Sequence, residues 1–192
     1  MPIVGGNEVD LIPDTDAFIN TLIADIESAE HHVHILSYII RDDATGRRVT
    51  EALVAAEQRG VECRVLYDAV GSRRTIGRLP SMMRKAGIDV HDILPVNPIR
   101  RSFARIDLRN HRKLIVIDGQ IAYTGSQNIV DADYGTKDLT WFDLMARVTG
   151  PAAAHLQLVF LQDWYYVTDS VLDEPTIMPE PTAPGEAALQ VV

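Results

Sequence analysis

Apolar residues recur along the early part of the chain in two rhythms, one of period two and one of helical period. Glu8 to Ile12 alternates and predicts a first strand. Pro13-Asp14-Thr15-Asp16 then reads as a helix start, with acids where the helix dipole favours them. Phe18, Leu22, Ile26 and Ala29 share one face, widened by Ile19 and Ile23, and predict a helix to about Glu30. His32 to Ile40 is a buried strand, Arg41 to Gly46 a loop, and Arg47 to Arg59 a second helix with Gly60 as its C-cap. Val61 to Asp68 is the next strand, Gly71 to Pro80 a basic loop, Ser81 to Ala86 a short helix closed by Gly87, and Ile88 to Ile93 a strand. Strands alternating with helices predict an α/β layer with parallel strands.

The rhythm changes after Pro95. Pro95 to Arg109 is irregular and basic. Leu114-Ile115-Val116-Ile117 and Ile121-Ala122-Tyr123 are β-branched and apolar around Asp118-Gly119, which predicts a hairpin ending at Gly125. A short helix is expected after Ser126, a strand from Asp143 to Val148, and a last helix from Gly150-Pro151 to about Tyr166. A hairpin beside parallel strands makes the sheet mixed, within an α/β fold class. From Asp169 the composition shifts: 171–186 is rich in proline and acid and reads as a linker, and 187–192 reads as the opening of another strand.

The hairpin carries the candidate chemistry. Residues i and i+2 of a strand face one side, so His111 and Lys113 project together with Arg112 opposed. The returning strand brings Gly125-Ser126 back beside them. An imidazole can act as nucleophile or general acid toward a phosphodiester, and an ammonium beside it stabilises charge on the non-bridging oxygens. Gly125 permits close backbone approach, and Ser126 with a following helix start would offer N–H donors to an anion. Asp118 belongs to the same stretch, but about 16 Å of strand rise separates it from Lys113, so a turn or ion-pair role fits it better than contact with phosphate.

The spacing H-x-K-x4-D-x6-G-S-x-N, from His111 through Lys113, Asp118, Gly125 and Ser126 to Asn128, resembles the HKD motif of the phospholipase D superfamily. The stretches RIDLRNHRKLIVIDGQIAYTGSQNIVD, WFDLMARVTGP and RGVECRVLYDAVGS resemble the first catalytic half of bacterial cardiolipin synthases, a likeness that runs to about Val171. It implies a mixed β-sheet sandwiched between α-helices over 1–170. It also implies a ping-pong transfer without cofactor or metal, in which one histidine forms a phosphohistidine and a second protonates the leaving alcohol. His111 and Lys113 would be catalytic, with Lys113, Gly125, Ser126 and Asn128 on the phosphate; the motif places Asp118 in the catalytic set by position. The family supplies a carboxylate downstream to hold the histidine, a role that falls to Asp143 with Asp138 as competitor.

One motif is half of such a site. The second half would come from the same natural chain, of which 187–192 is then the beginning, or from a homodimer. The implied substrates are phosphatidylglycerol and other anionic phospholipids at the bacterial inner membrane. Cardiolipin synthases usually carry N-terminal membrane segments ahead of this domain; here no apolar run approaches the roughly 18–20 residues that span a bilayer.

Charge sharpens the choice of ligand. A net charge of −9 argues against non-specific nucleic-acid binding, yet Arg100 to Lys113 holds six basic residues against the single acid Asp107, which suggests a local anionic ligand such as lipid headgroups. His31, His32 and His34 could hold zinc only if they converged; in a strand His32 and His34 share a face and His31 opposes them, and no cysteine cluster accompanies them. Cys63, alone in an apolar run, reads as a buried thiol. Two rival functions remain: a single-motif phosphodiesterase or nuclease acting as a homodimer, and a non-catalytic lipid-binding domain. The intact set of His111, Lys113, Ser126 and Asn128 argues against the latter.

Overall fold

The structure is a computed structural model and describes residues 1–72, 75–94, 109–134 and 141–192. Its strands are β1 Val4–Ile12, β2 His32–Ser37, β3 Glu62–Asp68, β4 Asp89–Ile93, β5 Leu114–Ile117, β6 Ile121–Gly125, β7 Met145–Thr149 and β8 Ala187–Leu189. Its helices are α1 Thr15–Ser28, α2 Ala44–Gln58, α3 Ala69–Ser72, α4 Leu79–Ala86 and α5 Pro151–Thr168. The strands form one sheet in the order β4-β3-β2-β5-β6-β7-β1-β8. β2, β3 and β4 run parallel, while β5, β6, β7, β1 and β8 pair antiparallel, so the sheet is mixed.

Strand alternation distributes the core over both faces. Val33, Ile35, Val65 and Ile115 point to a layer closed by Phe18, Leu22 and Ile26 of α1, Leu53 of α2 and Met83 of α4. Leu36, Leu66, Leu114 and Val116 point the other way, onto Leu156, Phe160 and Trp164 of α5. The helices thus enclose the sheet as expected. β6 and β7 are tied to α1 by Asp25, whose carboxylate accepts from Arg147 Nε at 2.7 Å and from the Tyr123 hydroxyl. Burial, reinforced by that carboxylate, pushes the Tyr123 hydroxyl pKa upward.

Two local expectations are corrected. Helix α2 begins at Ala44, inside the stretch read as loop. Asp43 Oδ1 accepts from Gly46 N at 2.9 Å, while Asp131 accepts from Thr45 N at 2.8 Å, so two carboxylates satisfy amides the new helix leaves free. The second carboxylate comes from a distant loop, which no local pattern announces. The short helix expected directly after Ser126 does not form over the described residues 127–134. Asn128 Oδ1 instead accepts from Ile39 N at 3.0 Å, Ile129 N donates to the Ile39 carbonyl at 3.1 Å, and Gln127 Nε2 binds the Asn128 carbonyl. Tertiary partners take the polar groups a helix would use. Within 171–186 the chain touches the domain at Ile177, which is buried, and at Pro179, whose Cδ a Cβ on Gly119 would meet at 2.6 Å. Beyond it β8 pairs with β1, Val4 opposite Leu189, and Asn7 links the two by donating to the carbonyls of Val4 and Ala187.

Candidate active site

The site gathers at one end of the sheet. Leu36 pairs with Leu114, Leu114 with Thr124, and Gly125 with Met145, so the chain just beyond these residues converges from β2, β5, β6 and β7. His111 and Lys113 precede β5 as irregular backbone, where the sequence reading had put a strand. The reason is side-chain anchoring on both flanks. Asp68, buried at the end of β3, accepts from Asn110 N at 3.3 Å and from Val70 N and Gly71 N at 2.9 Å. On the other flank, Asp163 of α5 accepts from Asn110 Nδ2 at 3.2 Å and takes the Arg112 guanidinium at 2.7 and 2.8 Å. Arg112 is therefore turned toward α5, and His111 between these anchors is held at the exposed surface.

Lys113 is half-buried and its Nζ donates to the His111 carbonyl at 2.8 Å. An ammonium has three N–H donors, so two stay available to an anion. Burial holds the Lys113 pKa below its ordinary value, against the opposing pull of the nearby Asp143 carboxylate. Asp143 lies just before β7, and its charge, added to burial, raises the Tyr134 pKa. Among the described residues no hydrogen bond joins Asp143 to His111. Asp138, its competitor in the sequence, lies outside the described residues.

Ser126 and Asn128 flank this group. Ser126 N donates to the Leu144 carbonyl at 3.0 Å, and Ser126 Oγ accepts from Leu144 N at 3.0 Å. The backbone donor expected for an anion is thus consumed, while the hydroxyl proton remains to be given. Asn128 is buried, with its oxygen fixed by Ile39 and its Nδ2 at 3.5 Å from the Tyr134 hydroxyl, a long contact that leaves donor capacity. Gly125 is required by space: a Cβ there would stand 2.1 Å from the Leu144 carbonyl oxygen.

Asp118 does not join the group. It occupies the far end of β5, with φ of 51° beside Gly119 at 66°, the two left-handed positions of the hairpin turn. Its carboxylate accepts from the backbone amides of Glu30, His31 and His32 at 2.8 to 2.9 Å. Its place in the catalytic set is therefore corrected to a structural one: it caps the entry to β2. We expect Asp118→Ala to lower unfolding stability by about 2 kcal/mol, since three amides lose a charged acceptor. The turnover number per folded molecule should be unchanged; a loss of turnover beyond the loss of folded protein would contradict this placement.

Tyr38, at the end of β2, was not singled out in the sequence. Its ring lies 4.1 Å from the His111 ring, centroid to centroid, and Lys113 Nζ is 5.4 Å from the ring centre. A Cβ on Gly71 would stand 2.7 Å from Tyr38 Cε2, so that glycine makes room for the aromatic face. The face of an aromatic ring favours cations, and here it borders both the imidazole and the ammonium. The only sequence signal was an aromatic residue ending a buried strand.

Two arginines of the basic stretch are already paired. Arg109 lies 3.6 Å from Asp68 with its side chain 5% exposed, and Arg112 is bridged to Asp163. Arg100, Arg101 and Arg105 lie outside the described residues. His32 and His34 are buried and share Gln157, and no cluster able to hold a metal ion occurs among the described residues.

Residues 22–164 match the family model described as cardiolipin synthase, PLD-like domain. The chain is 44% identical over 165 residues to cardiolipin synthase A of Serratia proteamaculans and 42% identical to that of Yersinia pseudotuberculosis, covering 84% of this chain and 34% of each relative. It spans about a third of the length of these curated relatives. The fold is similar to Nuc, a phospholipase D family member from Salmonella typhimurium, at a TM-score of 0.62 and 20% identity over 86% of this chain and 99% of that one. It is also similar to phosphatidylserine synthase of Haemophilus influenzae, at a TM-score of 0.61 and 15% identity over 87% of this chain and 40% of the other.

Proposed function

This chain belongs to the cardiolipin synthase, phospholipase D-like domain family, and on that premise we propose that it supplies half the active site of a phosphatidyltransferase. The reaction joins two phosphatidylglycerol molecules into cardiolipin and releases glycerol. The observation that carries the reading is the pairing of His111 and Lys113 at an open end of the sheet, in a chain 44% identical over 165 residues to a cardiolipin synthase A.

In the first step a histidine nitrogen attacks phosphorus, the bond to the glycerol oxygen breaks, and a second histidine protonates that oxygen as it leaves. In the second step the same second histidine takes the proton of the incoming hydroxyl, whose oxygen bonds to phosphorus as the phosphorus–nitrogen bond breaks and frees the first histidine. His111 fills one of these roles and its counterpart fills the other. Lys113 and the Ser126 hydroxyl donate to the non-bridging oxygens, with Asn128 behind them and Gly125 permitting their approach. Asp143 tunes Lys113 by opposing the lowering of its pKa. Tyr38 holds the His111 ring in orientation.

The counterpart site comes from a second motif-bearing domain or from a second copy of this chain, and the activity belongs at the bacterial inner-membrane surface. Among the described residues no helix is long and apolar enough to cross a membrane. Phosphatidyl transfer from phosphatidylglycerol in detergent micelles tests the reading. The chain would be assayed alone and together with a polypeptide carrying a second motif. Turnover only in the mixture supports the half-site arrangement. Turnover by the chain alone supports a homodimeric site. Cleavage of a generic phosphodiester without lipid turnover would replace the transferase reading by the phosphodiesterase one.

Tyr38 yields a separable expectation. Tyr38→Phe retains the aromatic face and should keep kcat within about 3-fold, whereas Tyr38→Ala should lower it about 10-fold or more, the order of about 1–2 kcal/mol for a partly desolvated ring–cation contact. Equal kcat values for Phe and Ala at position 38, measured at saturating lipid, would remove Tyr38 from the site.

A further inference from the structure

A second feature opens next to the phosphate site, on the α5 side of the sheet. It is a cavity of about 590 Å³ between the sheet and the first turns of α5. Its origin is legible in residue size. Helix α5 opens Pro151-Ala152-Ala153-Ala154, and Ala146 faces it from β7, so small side chains stand where large ones would close the gap. Most of the lining is apolar: Val9 and Val148 from the sheet, Leu156 and Val159 from the helix, with Leu189 and Val191 along one side; Thr124, Gln162 and Gln190 are its polar members. Lys113 and Gly125 of the phosphate site also line the cavity, beside Arg112, whose guanidinium is bridged to Asp163.

We propose that this cavity receives an acyl chain of the lipid whose phosphate engages Lys113 and His111. The inference rests on the reading of the site as a phospholipid transferase. A mainly apolar lining that reaches the Lys113 ammonium matches an anionic amphiphile in both parts, tail and head. The volume falls within the range of pockets that enclose small ligands. A chain anchored there would hold the phosphorus against His111 and give the domain a preference for long-chain donors over water-soluble phosphodiesters.

Monoalkyl phosphates used below their micellar concentrations separate the two contributions. Titration calorimetry would compare inorganic phosphate with octyl, decyl and dodecyl phosphate on the intact chain. We expect affinity to rise up to about fourfold per methylene as the tail enters the cavity. Ala146→Phe and Val159→Phe each narrow the cavity from an opposite wall. Either variant, once its fold is verified by circular dichroism, should flatten the chain-length dependence and leave inorganic phosphate binding unchanged. An undiminished chain-length dependence in both folded variants would overturn the proposal, because the tail would then lie elsewhere. Phosphate binding with no chain-length dependence in the wild type would also overturn it, leaving the cavity to a protein segment while the phosphate site stands. Alkyl phosphates that bind with the full chain-length dependence even when His111 and Lys113 are both replaced by Ala would detach the cavity from the reaction site and overturn it as well. Failure of every phosphate to bind the wild type would sink the phosphate site itself, and the acyl-chain reading with it.

Discussion

His111→Ala is expected to abolish phosphatidyl transfer, lowering kcat by about 10⁴-fold or more, while leaving the domain as stable as the wild type. The first half follows from chemistry. Whether His111 attacks phosphorus or moves the proton of the glycerol oxygen, each step of the exchange needs both histidines, and removing one member of such a set costs nearly as much as removing all. The second half follows from its surroundings. His111 is exposed, its ring touches Tyr38, and its backbone is set by Asn110 and Arg112 through Asp68 and Asp163. Truncating an exposed side chain without hydrogen-bonding duties typically changes stability by less than about 0.5 kcal/mol. Parallel measurement of kcat and of the urea midpoint checks both halves. Residual turnover above about one per cent of wild type would assign the essential histidine elsewhere, and a fall in midpoint would make the activity loss uninterpretable as chemistry.

The sequence announced this end of the sheet more fully than its supports. Period-two and period-3.6 patterns located the central strands and α1, because there the apolar positions decide which residues face the core. Asp14 capping Ala17 at 2.8 Å is a local signal and was read as such. His111 and Lys113 stood out through spacing, although the physical reason offered, a shared strand face, was not the one found. They are brought together by the Lys113 bond to the His111 carbonyl within irregular backbone. The unread features depend on partners far along the chain. Asp131 capping α2, Asn128 bonding Ile39, and Asp68 bonding Asn110 link residues separated by 86, 89 and 42 positions. Tyr38 belongs to the same class, since its meaning comes from what its ring faces. Asp118 separates two kinds of reading: motif membership put it in the catalytic set, whereas the rise of the strand put it at the turn, and the four residues of β5 place it there.

Acid should destabilise the domain below about pH 6.5, and His34 should carry a measurable share of the loss. His32 and His34 lie on the α5 face of β2, buried, with rings 4.4 Å apart; His34 stacks on Phe160 at 4.4 Å, and both histidines reach Gln157. Burial lowers the pKa of His32, opposed by Asp118, and lowers that of His34 well below the ordinary value, aided by His32 and the Arg64 guanidinium. The sign follows directly. Between the depressed native pKa and the unfolded value near 6.5, the unfolded chain binds a proton that the folded chain refuses, so acid favours unfolding. Above about pH 7.5 the effect vanishes. Below pH 6.5 stability falls by up to about 1.4 kcal/mol per pH unit for each histidine still neutral in the fold, and His34 stays neutral furthest. Unfolding free energies from urea titration at pH 8, 6.5 and 5.2 measure the slope above the range where most carboxylates titrate. His34→Gln should reduce the slope between pH 6.5 and 5.2 by up to one proton equivalent, whatever its effect on absolute stability. An unchanged slope would mean that His34 takes up its proton in the fold over the same range as in the unfolded chain, with Gln157 turned to accept from the imidazolium.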